Sequence, residues 1–316
     1  MEDWIQKLSG VVGVLATPFD ECDHIDVDAL RANVRCSLDY GVSGFLVPAN
    51  AGEVQQLSHR ERRLVVETVL DETNQRVTVI GGATAPDQAG RIRAAKELLD
   101  LGCRSVLAHI PYCVNEATAY DRNVMELADT GMELLMVQDA DATGPGAPVE
   151  TIARLHREVP SFRWLKCEVS GRYRKISALR ETIGDSLFIG TAGPEYLEAL
   201  DRGADAYMPT VFHDIYARIF KLHRAGRREQ ARELYHQLLP MLLFSYSHNT
   251  YQFNKKLLVR MGIFPTTRCR VELPRFDPWE ERLADELVEQ TMQLSDSLRK
   301  PPAQRSTGGI TTLEHQ

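Results

Sequence analysis

Eight short apolar runs alternate with segments of helical pattern along the first 226 residues. Each run is continuously hydrophobic, which is typical of strands that are buried on both faces of a parallel sheet. Because parallel strands must be joined by crossover connections, eight strand–helix units in succession predict a closed (β/α)8 barrel, the TIM-barrel fold of the α/β class. The runs begin at Gly10, Gly44, Val77, Ser105, Glu133, Phe162, Leu187 and Ala206.

Helix start and stop signals separate these runs. Ser58 opens the sequence S-H-R-E, which is the pattern of a capping box. Pro86 and Pro148 stand where two further helices are predicted to begin, a position that suits the fixed φ of proline. Two helices are predicted to end at Gly41 and Gly102, because glycine adopts the backbone conformation that terminates a helix at little cost.

Residues 1–226 are therefore predicted to form the barrel. The sequence that follows has helical periodicity, so residues 227–298 are expected to form a C-terminal helical extension that packs on the barrel. Residues 299–316 are rich in Pro, Gly, Ser and Thr, and this composition predicts a disordered tail.

Composition and charge narrow the choice of partners. The chain has 316 residues and a net charge of −7, which argues against nucleic acid or an anionic membrane surface as the main partner. No apolar run approaches the ~18 residues that span a bilayer, and the N-terminus lacks the pattern of a signal peptide. The six cysteines are scattered without a C-x-x-C pair, as expected for reduced thiols. These features predict a cytoplasmic protein and leave a small anionic substrate open.

Lys166 is the strongest candidate for chemistry. It lies in the apolar run that begins at Phe162, near the strand ends where the active sites of such barrels are found. Burial disfavours a charged ammonium group, so a lysine at this place can present the neutral amine that imine formation with a carbonyl requires. The alternative is a lysine that only extends into solvent at the strand exit.

Other polar residues near strand ends are weaker candidates. Glu168 lies on the same side of its strand as Lys166, so it can either move protons there or pair with a cation such as Arg172. Arg172 and Lys175 are expected to be part of a solvated helix start. The histidines show no metal-binding spacing, and His109 is expected to be a core residue.

A turn of small residues follows the second strand. The sequence Ala49-Asn50-Ala51-Gly52-Glu53 would let the backbone amides of Asn50 and Ala51 approach an anion such as a carboxylate. Turns of this kind also serve only to connect elements, so the signal is weak by itself.

Several short motifs occur along the chain in a specific order. They are Ala16-Thr17-Pro18-Phe19, Ala49–Glu53, Pro111-Tyr112, Thr143-Gly144, Leu165-Lys166 with Ser170-Gly171, and Arg202-Gly203-Ala204. Their order and spacing resemble those of the dihydrodipicolinate synthase/N-acetylneuraminate lyase family. The resemblance implies a barrel with extra C-terminal helices, a homo-oligomer that is usually a tetramer, and Lys166 as the lysine that forms a Schiff base. No metal or organic cofactor would then be needed.

Some positions depart from the family's pattern. Asn50 and Ala51 stand where side-chain hydroxyls normally hold the substrate carboxylate, so that only the backbone amides remain. Motif spacing assigns the family's proton-relaying tyrosine to Val137, and an arginine that clamps a second carboxylate to Ala142. Cys113 replaces a tyrosine that normally crosses a subunit interface. True dihydrodipicolinate synthase activity is therefore not expected.

The expected function is that of a Schiff-base-forming lyase, a class I aldolase-type enzyme that acts on pyruvate or another 2-oxo acid through Lys166. Glu168 is expected to share the catalysis, and the predicted substrate-binding residues are Asn50, Ala51, Tyr112 and Gln138. Two alternatives remain open. One is a dehydratase or deaminase of a sugar acid or cyclic imino acid, which uses the same imine. The other is a pseudoenzyme that binds a keto acid.

Overall fold

The fold is a closed barrel of eight parallel strands, seen in a computed structural model that describes residues 3–299. The strands follow one another around the barrel in sequence order, and the last pairs with the first. This arrangement, with helices outside it, confirms the predicted fold class. The strands are β1 (Gly10–Val14), β2 (Gly44–Val47), β3 (Thr78–Gly82), β4 (Ser105–His109), β5 (Leu134–Asp141), β6 (Phe162–Val169), β7 (Phe188–Thr191) and β8 (Ala206–Tyr207).

Helices connect successive strands and cover the outside of the barrel. The predicted capping box is confirmed, because the Ser58 hydroxyl accepts from the Glu61 N–H at 3.3 Å and the Glu61 carboxylate accepts from the Ser58 N–H at 2.8 Å. The helices are α1 (Asp3–Gln6), α2 (Val27–Asp39), α3 (His59–Thr73), α4 (Gln88–Asp100), α5 (Ala117–Ala128), α6 (Val149–Glu158), α7 (Arg172–Ile183), α8 (Tyr196–Asp201) and α9 (His213–Arg224).

Two apolar clusters lie on opposite faces of the sheet. The inner cluster fills the barrel and includes Val12, Leu46, Ile80, Met136 and Trp164. The outer cluster lies between sheet and helices and includes Val11, Phe45, Val137 and Leu165. Because successive strand residues face opposite sides, each strand contributes to both clusters, which explains why the apolar runs are continuous.

Three further helices form the C-terminal extension: α10 (Arg228–Ser247), α11 (Thr250–Arg260) and α12 (Pro278–Arg299). Helix α10 packs on α9 and α12, so the extension rests on the barrel.

The division between barrel and extension at residue 226 stays a prediction. Arg299 is still helical, so the tail predicted from residue 299 does not begin there, and residues 300–316 lie outside the described part. Within residues 3–299, none of the helices is both long and apolar enough to cross a bilayer.

The strands differ in length from their apolar runs, most notably at β5, β6 and β8. Strand β8 has only two residues, because Pro209 lacks the N–H that would continue the ladder. Strands β5 and β6 have eight residues each, and their pairing continues to Asp141 and Val169. The added residues at the carboxyl end of β5 include Asp139 and Asp141, which bring polar side chains to the end of the barrel where β6 presents Lys166 and Glu168.

Candidate active site

A cavity of about 290 Å³ lies at the carboxyl ends of the strands. Strand ends and the loops after them supply one part of its wall, and helices α10 and α11 with their connection supply the other. The lining residues are Val14, Leu46, Ala49, Asn50, Ala51, Thr84, Leu107, Gln138, Lys166, Glu168, Ala192, Met208, Thr210, Ser245, Tyr246, His248, Thr250, Tyr251 and Asn254.

Lys166 enters this cavity from the inner face of β6 and is buried, with 7% of its surface exposed. Its Nζ lies 3.0 Å from Oε2 of Glu168. Trp164, two residues earlier on the same face, is fully buried in the inner cluster. Gly190 pairs with Lys166 across β6 and β7, and a Cβ there would lie 2.7 Å from Nε1 of Trp164. Glycine at 190 therefore makes room for the large side chain of Trp164.

Glu168 is the ionic partner of Lys166. Its Oε2 also accepts a hydrogen bond from Nε2 of Gln138 at 2.6 Å. Burial opposes ionisation of this carboxyl, but the charge of Lys166 and the two hydrogen bonds outweigh it and hold the pKa of Glu168 below its usual range. Arg172, the alternative partner, donates to the Ala192 carbonyl instead. The site therefore holds an ionised carboxylate beside the lysine.

Gln138 is the residue of β5 that faces Lys166. The two pair in register across β5 and β6, so their side chains lie on the same face of the sheet. Val137 is fully buried in the outer cluster, between the sheet and the helices. The assignment of the family's relay tyrosine to Val137 is therefore wrong, and the position that faces the lysine is Gln138. An error of one residue in a strand moves a side chain to the opposite face.

The turn after β2 forms one turn of 3₁₀ helix, Asn50–Gly52. The N–H groups of Gly52 and Glu53 donate to carbonyl groups of the same turn, at 2.9 and 2.8 Å. In the part of the chain that the structure describes, the N–H groups of Asn50 and Ala51 donate no hydrogen bond, and both residues line the cavity. Two unused amides at this place suit a carboxylate ligand.

Tyr112 and His109 lie elsewhere than the sequence predicts. Tyr112 packs edge-on against Tyr120, with ring centroids 5.3 Å apart, and is not part of the cavity wall. The position of Tyr112 outside the cavity wall gives no support to its predicted role in substrate binding, which stays a prediction. His109 is exposed at the end of β4, with Nε2 3.3 Å from the Ala140 carbonyl oxygen, so the expectation of a core histidine is wrong.

Lys175 was expected to lie in a solvated helix start, and this expectation is wrong. It forms a buried ion pair with Asp139. The two side chains are 8% and 3% exposed, and their charged atoms lie 2.5 Å apart. Lys175 also donates to the carbonyl groups of Pro145 and Ala147, and the Ala147 N–H donates to Asp139 at 3.0 Å. The pair thus fixes the loop that follows β5, beside the site.

The contribution of the C-terminal extension was not predicted from the sequence. Its lining residues are Ser245, Tyr246, His248, Thr250, Tyr251 and Asn254, and no strand-end signal marks them. Among the described residues that line the cavity, Lys166 is the only Lys or Arg and Glu168 is the only Asp or Glu. Within residues 3–299, no three His, Cys, Asp or Glu side chains are grouped so that they could hold a metal ion.

A parallel barrel with a buried lysine among its strand ends has the architecture of a class I, Schiff-base aldolase. Residues 7–291 match the dihydrodipicolinate synthetase family, and the chain belongs to this family. Membership confirms the expectation of a Schiff-base lyase at the level of enzyme class.

Relatives within the family have different reactions in their names. The 4-hydroxy-tetrahydrodipicolinate synthase of Methanopyrus kandleri is 28% identical over 244 residues, which cover 74% of this chain and 80% of that protein. The L-2-keto-3-deoxyarabonate dehydratase of Azospirillum brasilense is 26% identical over 279 residues, or 85% and 90% of the two chains. The crystal structure of dihydrodipicolinate synthase from Rhodopseudomonas palustris has a TM-score of 0.81 at 23% identity, covering 90% and 98%, which shows a shared fold.

Proposed function

We propose that this protein is a lyase in which Lys166 forms a Schiff base with the carbonyl carbon of a 2-oxo acid. The supporting observation is the 3.0 Å separation between Lys166 Nζ and Glu168 Oε2 inside the cavity. Transfer of one proton across this distance converts the ion pair into a neutral amine and a carboxylic acid. The neutral amine is the nucleophile, and burial lowers the cost of giving up the charges.

Imine formation then follows from the groups around the lysine. The substrate carboxylate binds the free amides of Asn50 and Ala51, which places the neighbouring carbonyl carbon, C2, near Nζ of Lys166. The amine nitrogen bonds to C2, and the carbonyl oxygen takes one proton from the amine and one from Glu168 and leaves as water, which returns Glu168 to its carboxylate form. The resulting iminium ion accepts an electron pair from a bond at C3, so the reaction requires no metal or organic cofactor as an electron sink.

Glu168 moves protons after the imine has formed. In C–C cleavage it accepts the proton of the C4 hydroxyl, and the electron pair of the C3–C4 bond moves into the iminium ion. An aldehyde leaves, an enamine remains, and Glu168 returns the proton to C3. Hydrolysis then frees the product and Lys166. Gln138 does not titrate, and its hydrogen bond orients the Glu168 carboxylate.

Dehydration of a hydroxylated 2-oxo acid is the second candidate reaction. The dehydratase among the relatives supports it, and so do the hydroxyl and amide groups that α10 and α11 bring to the cavity. Among the described residues of the wall, Lys166 is the only Lys or Arg, so a second substrate carboxylate would find no arginine or further lysine there. The one histidine in the wall, His248, already contacts the Phe244 carbonyl oxygen at 3.0 Å and Glu280 at 3.7 Å. The substrate class that we infer is therefore a 2-oxo acid with one carboxylate and a hydroxylated tail.

Reductive trapping tests the role of Lys166. Pyruvate with borohydride should leave one reduced adduct on the peptide that contains Lys166. Lys166→Ala and Lys166→Arg should neither trap nor turn over, because a guanidinium group stays protonated and cannot form the imine. Trapping by Lys166→Ala would refute the proposal. Trapping by the wild type without turnover of any 2-oxo acid in a panel would support the keto-acid-binding pseudoenzyme instead.

We also infer a cytoplasmic homo-oligomer, either a dimer or a tetramer. All six cysteines are free thiols, as a reducing compartment maintains them. Val114 is 76% exposed in the loop after β4, next to Cys113, at the place that the family resemblance assigns to a subunit interface. Burial of this side chain by a second copy would remove apolar surface from water. Sedimentation of the purified protein as a monomer at micromolar concentration would refute the oligomer.

A further inference from the structure

Tyr246 brings a phenol to the cavity from outside the barrel. It lies in the last turn of α10 and lines the same cavity as Lys166 and Glu168. About half of its surface (54%) is exposed, so the side chain lies between the cavity and solvent. The proposed steps at Lys166 and Glu168 do not use this group.

The pKa values of Tyr246 and Glu168 are shifted in opposite directions. Burial of the hydroxyl, together with the negative charge of Glu168, raises the pKa of Tyr246 to about 12, although Arg172 and hydrogen bonds with Gly193 and Tyr207 oppose this shift. The phenol therefore keeps its proton at neutral pH and can donate it. The Glu168 carboxyl is ionised and can accept one. Two groups in one cavity whose pKa values are moved apart in this way suit an acid and a base.

We propose that Tyr246 is a catalytic acid that donates a proton to the oxygen on C4 of the substrate, while Glu168 acts at C3. The proposal rests on the proposed Schiff-base function. In dehydration, Glu168 removes a proton from C3 and the released electron pair forms the enamine. The nitrogen lone pair then expels the C4 hydroxyl, which takes the Tyr246 proton and leaves as water. Solvent reprotonates the half-exposed phenol.

Tyr251 is the other phenol in the cavity wall, but its surroundings differ. Its pKa is raised by burial and then by Glu53 and Cys269, rather than by Glu168. Glu53 is bound to Lys255 in a fully buried pair and so does not take part in the chemistry. Tyr246 is thus the phenol whose electrostatic partner is the catalytic carboxylate.

Three readouts separate the roles of the three residues. Borohydride trapping of pyruvate requires Lys166, exchange of the C3 protons of pyruvate with D₂O requires Lys166 and Glu168, and full turnover requires Tyr246 as well. Tyr246→Phe should therefore keep trapping and C3 exchange while turnover falls ~10²–10⁴-fold, the usual effect of losing a general acid. Glu168→Gln should still trap pyruvate, but more slowly because solvent must then take the Lys166 proton, and it should lose both exchange and turnover.

The control is Tyr173→Phe on α7, which removes a hydroxyl outside the cavity and should leave all three readouts at wild-type levels. A loss of turnover in Tyr246→Phe of about threefold or less, far below the expected ~10²–10⁴-fold loss, would overturn the proposal. So would a parallel loss of C3 exchange and turnover, since that pattern indicates a structural defect. Absence of trapping in the wild type would instead refute the Schiff-base function, because trapping does not depend on Tyr246.

Discussion

The carboxylate of Glu53 and the ammonium group of Lys255 form an ion pair of 2.6 Å whose side chains are 0% and 1% exposed. Glu53 directly follows the turn Asn50–Gly52 and has a left-handed backbone conformation, with φ of 58°. Its second oxygen accepts hydrogen bonds from the N–H groups of Arg270 and Val271 at 2.6 and 2.8 Å. The C-terminal extension therefore holds the turn that presents the two free amides to the cavity.

Replacement of Lys255 by methionine should destabilise the protein strongly. The change keeps much of the side-chain volume but leaves the Glu53 carboxylate buried without its cation, which typically costs about 3–5 kcal/mol. The free energy of unfolding in urea measures this loss. Arg63→Met is the control, because Arg63 and Glu67 form an exposed pair at 2.9 Å and such pairs contribute at most about 1 kcal/mol. Equal effects of the two substitutions would contradict the importance of the buried pair.

Gln138 and Val137 should respond differently to truncation, because they face opposite sides of β5. Gln138→Ala removes a side chain from the cavity wall and its hydrogen bond to Glu168, so it should raise KM for the substrate and lower kcat, with little change in the free energy of unfolding. Val137→Ala should cost about 2 kcal/mol of stability, from lost burial and the cavity that remains, with steady-state kinetics unchanged. Kinetics and urea unfolding of both variants give the comparison. A kinetic defect in a folded Val137→Ala variant would instead support Val137 as the position of the family's proton-relaying tyrosine.

The barrel could be predicted because its signal is local. Eight apolar runs and the capping box at Ser58 depend on neighbours within a few residues, and Lys166 is conspicuous as a charged side chain in such a run. Motif spacing could not show which of Val137 and Gln138 faces the inside of the barrel, because a shift of one residue along a strand exchanges the two faces. The wall from α10 and α11 could not be predicted either, because contacts such as Glu53–Lys255 join residues 202 positions apart.

Condensation of pyruvate with aspartate semialdehyde should be slow or absent. Gln138, rather than a phenol, faces Lys166 from β5, and Ala142 is exposed where the family resemblance expects a carboxylate-binding arginine. The aspartate semialdehyde carboxylate would therefore find no arginine in the cavity wall. Loss of acid–base help alone typically slows a reaction ~10²–10⁴-fold. A coupled assay compared with an active synthase measures the rate, and a rate close to that of the synthase would contradict this expectation.

His213 makes the stability of the barrel depend on pH. It is the first residue of α9 and is buried, with its ring hydrogen-bonded to the Ser37 hydroxyl at 2.9 Å and to the Pro209 carbonyl at 3.3 Å. Burial lowers the pKa of His213 from 6.5 to about 4. The unfolded chain therefore binds a proton more readily than the folded chain between these pH values, and protonation favours unfolding.

The contribution of His213 should be complete above pH 6.5 and should be lost as the pH falls toward 4. The difference between the two pKa values corresponds to about 3 kcal/mol of unfolding free energy. Urea unfolding of the wild type at about pH 7 and about pH 4.5 should show much of this loss, on top of the effects of other groups. His213→Gln should lose less stability over the same interval, because glutamine does not titrate. His236→Gln, at an exposed position on α10, should behave like the wild type. An equal pH dependence in wild type and His213→Gln would show that the buried imidazole does not titrate in this range.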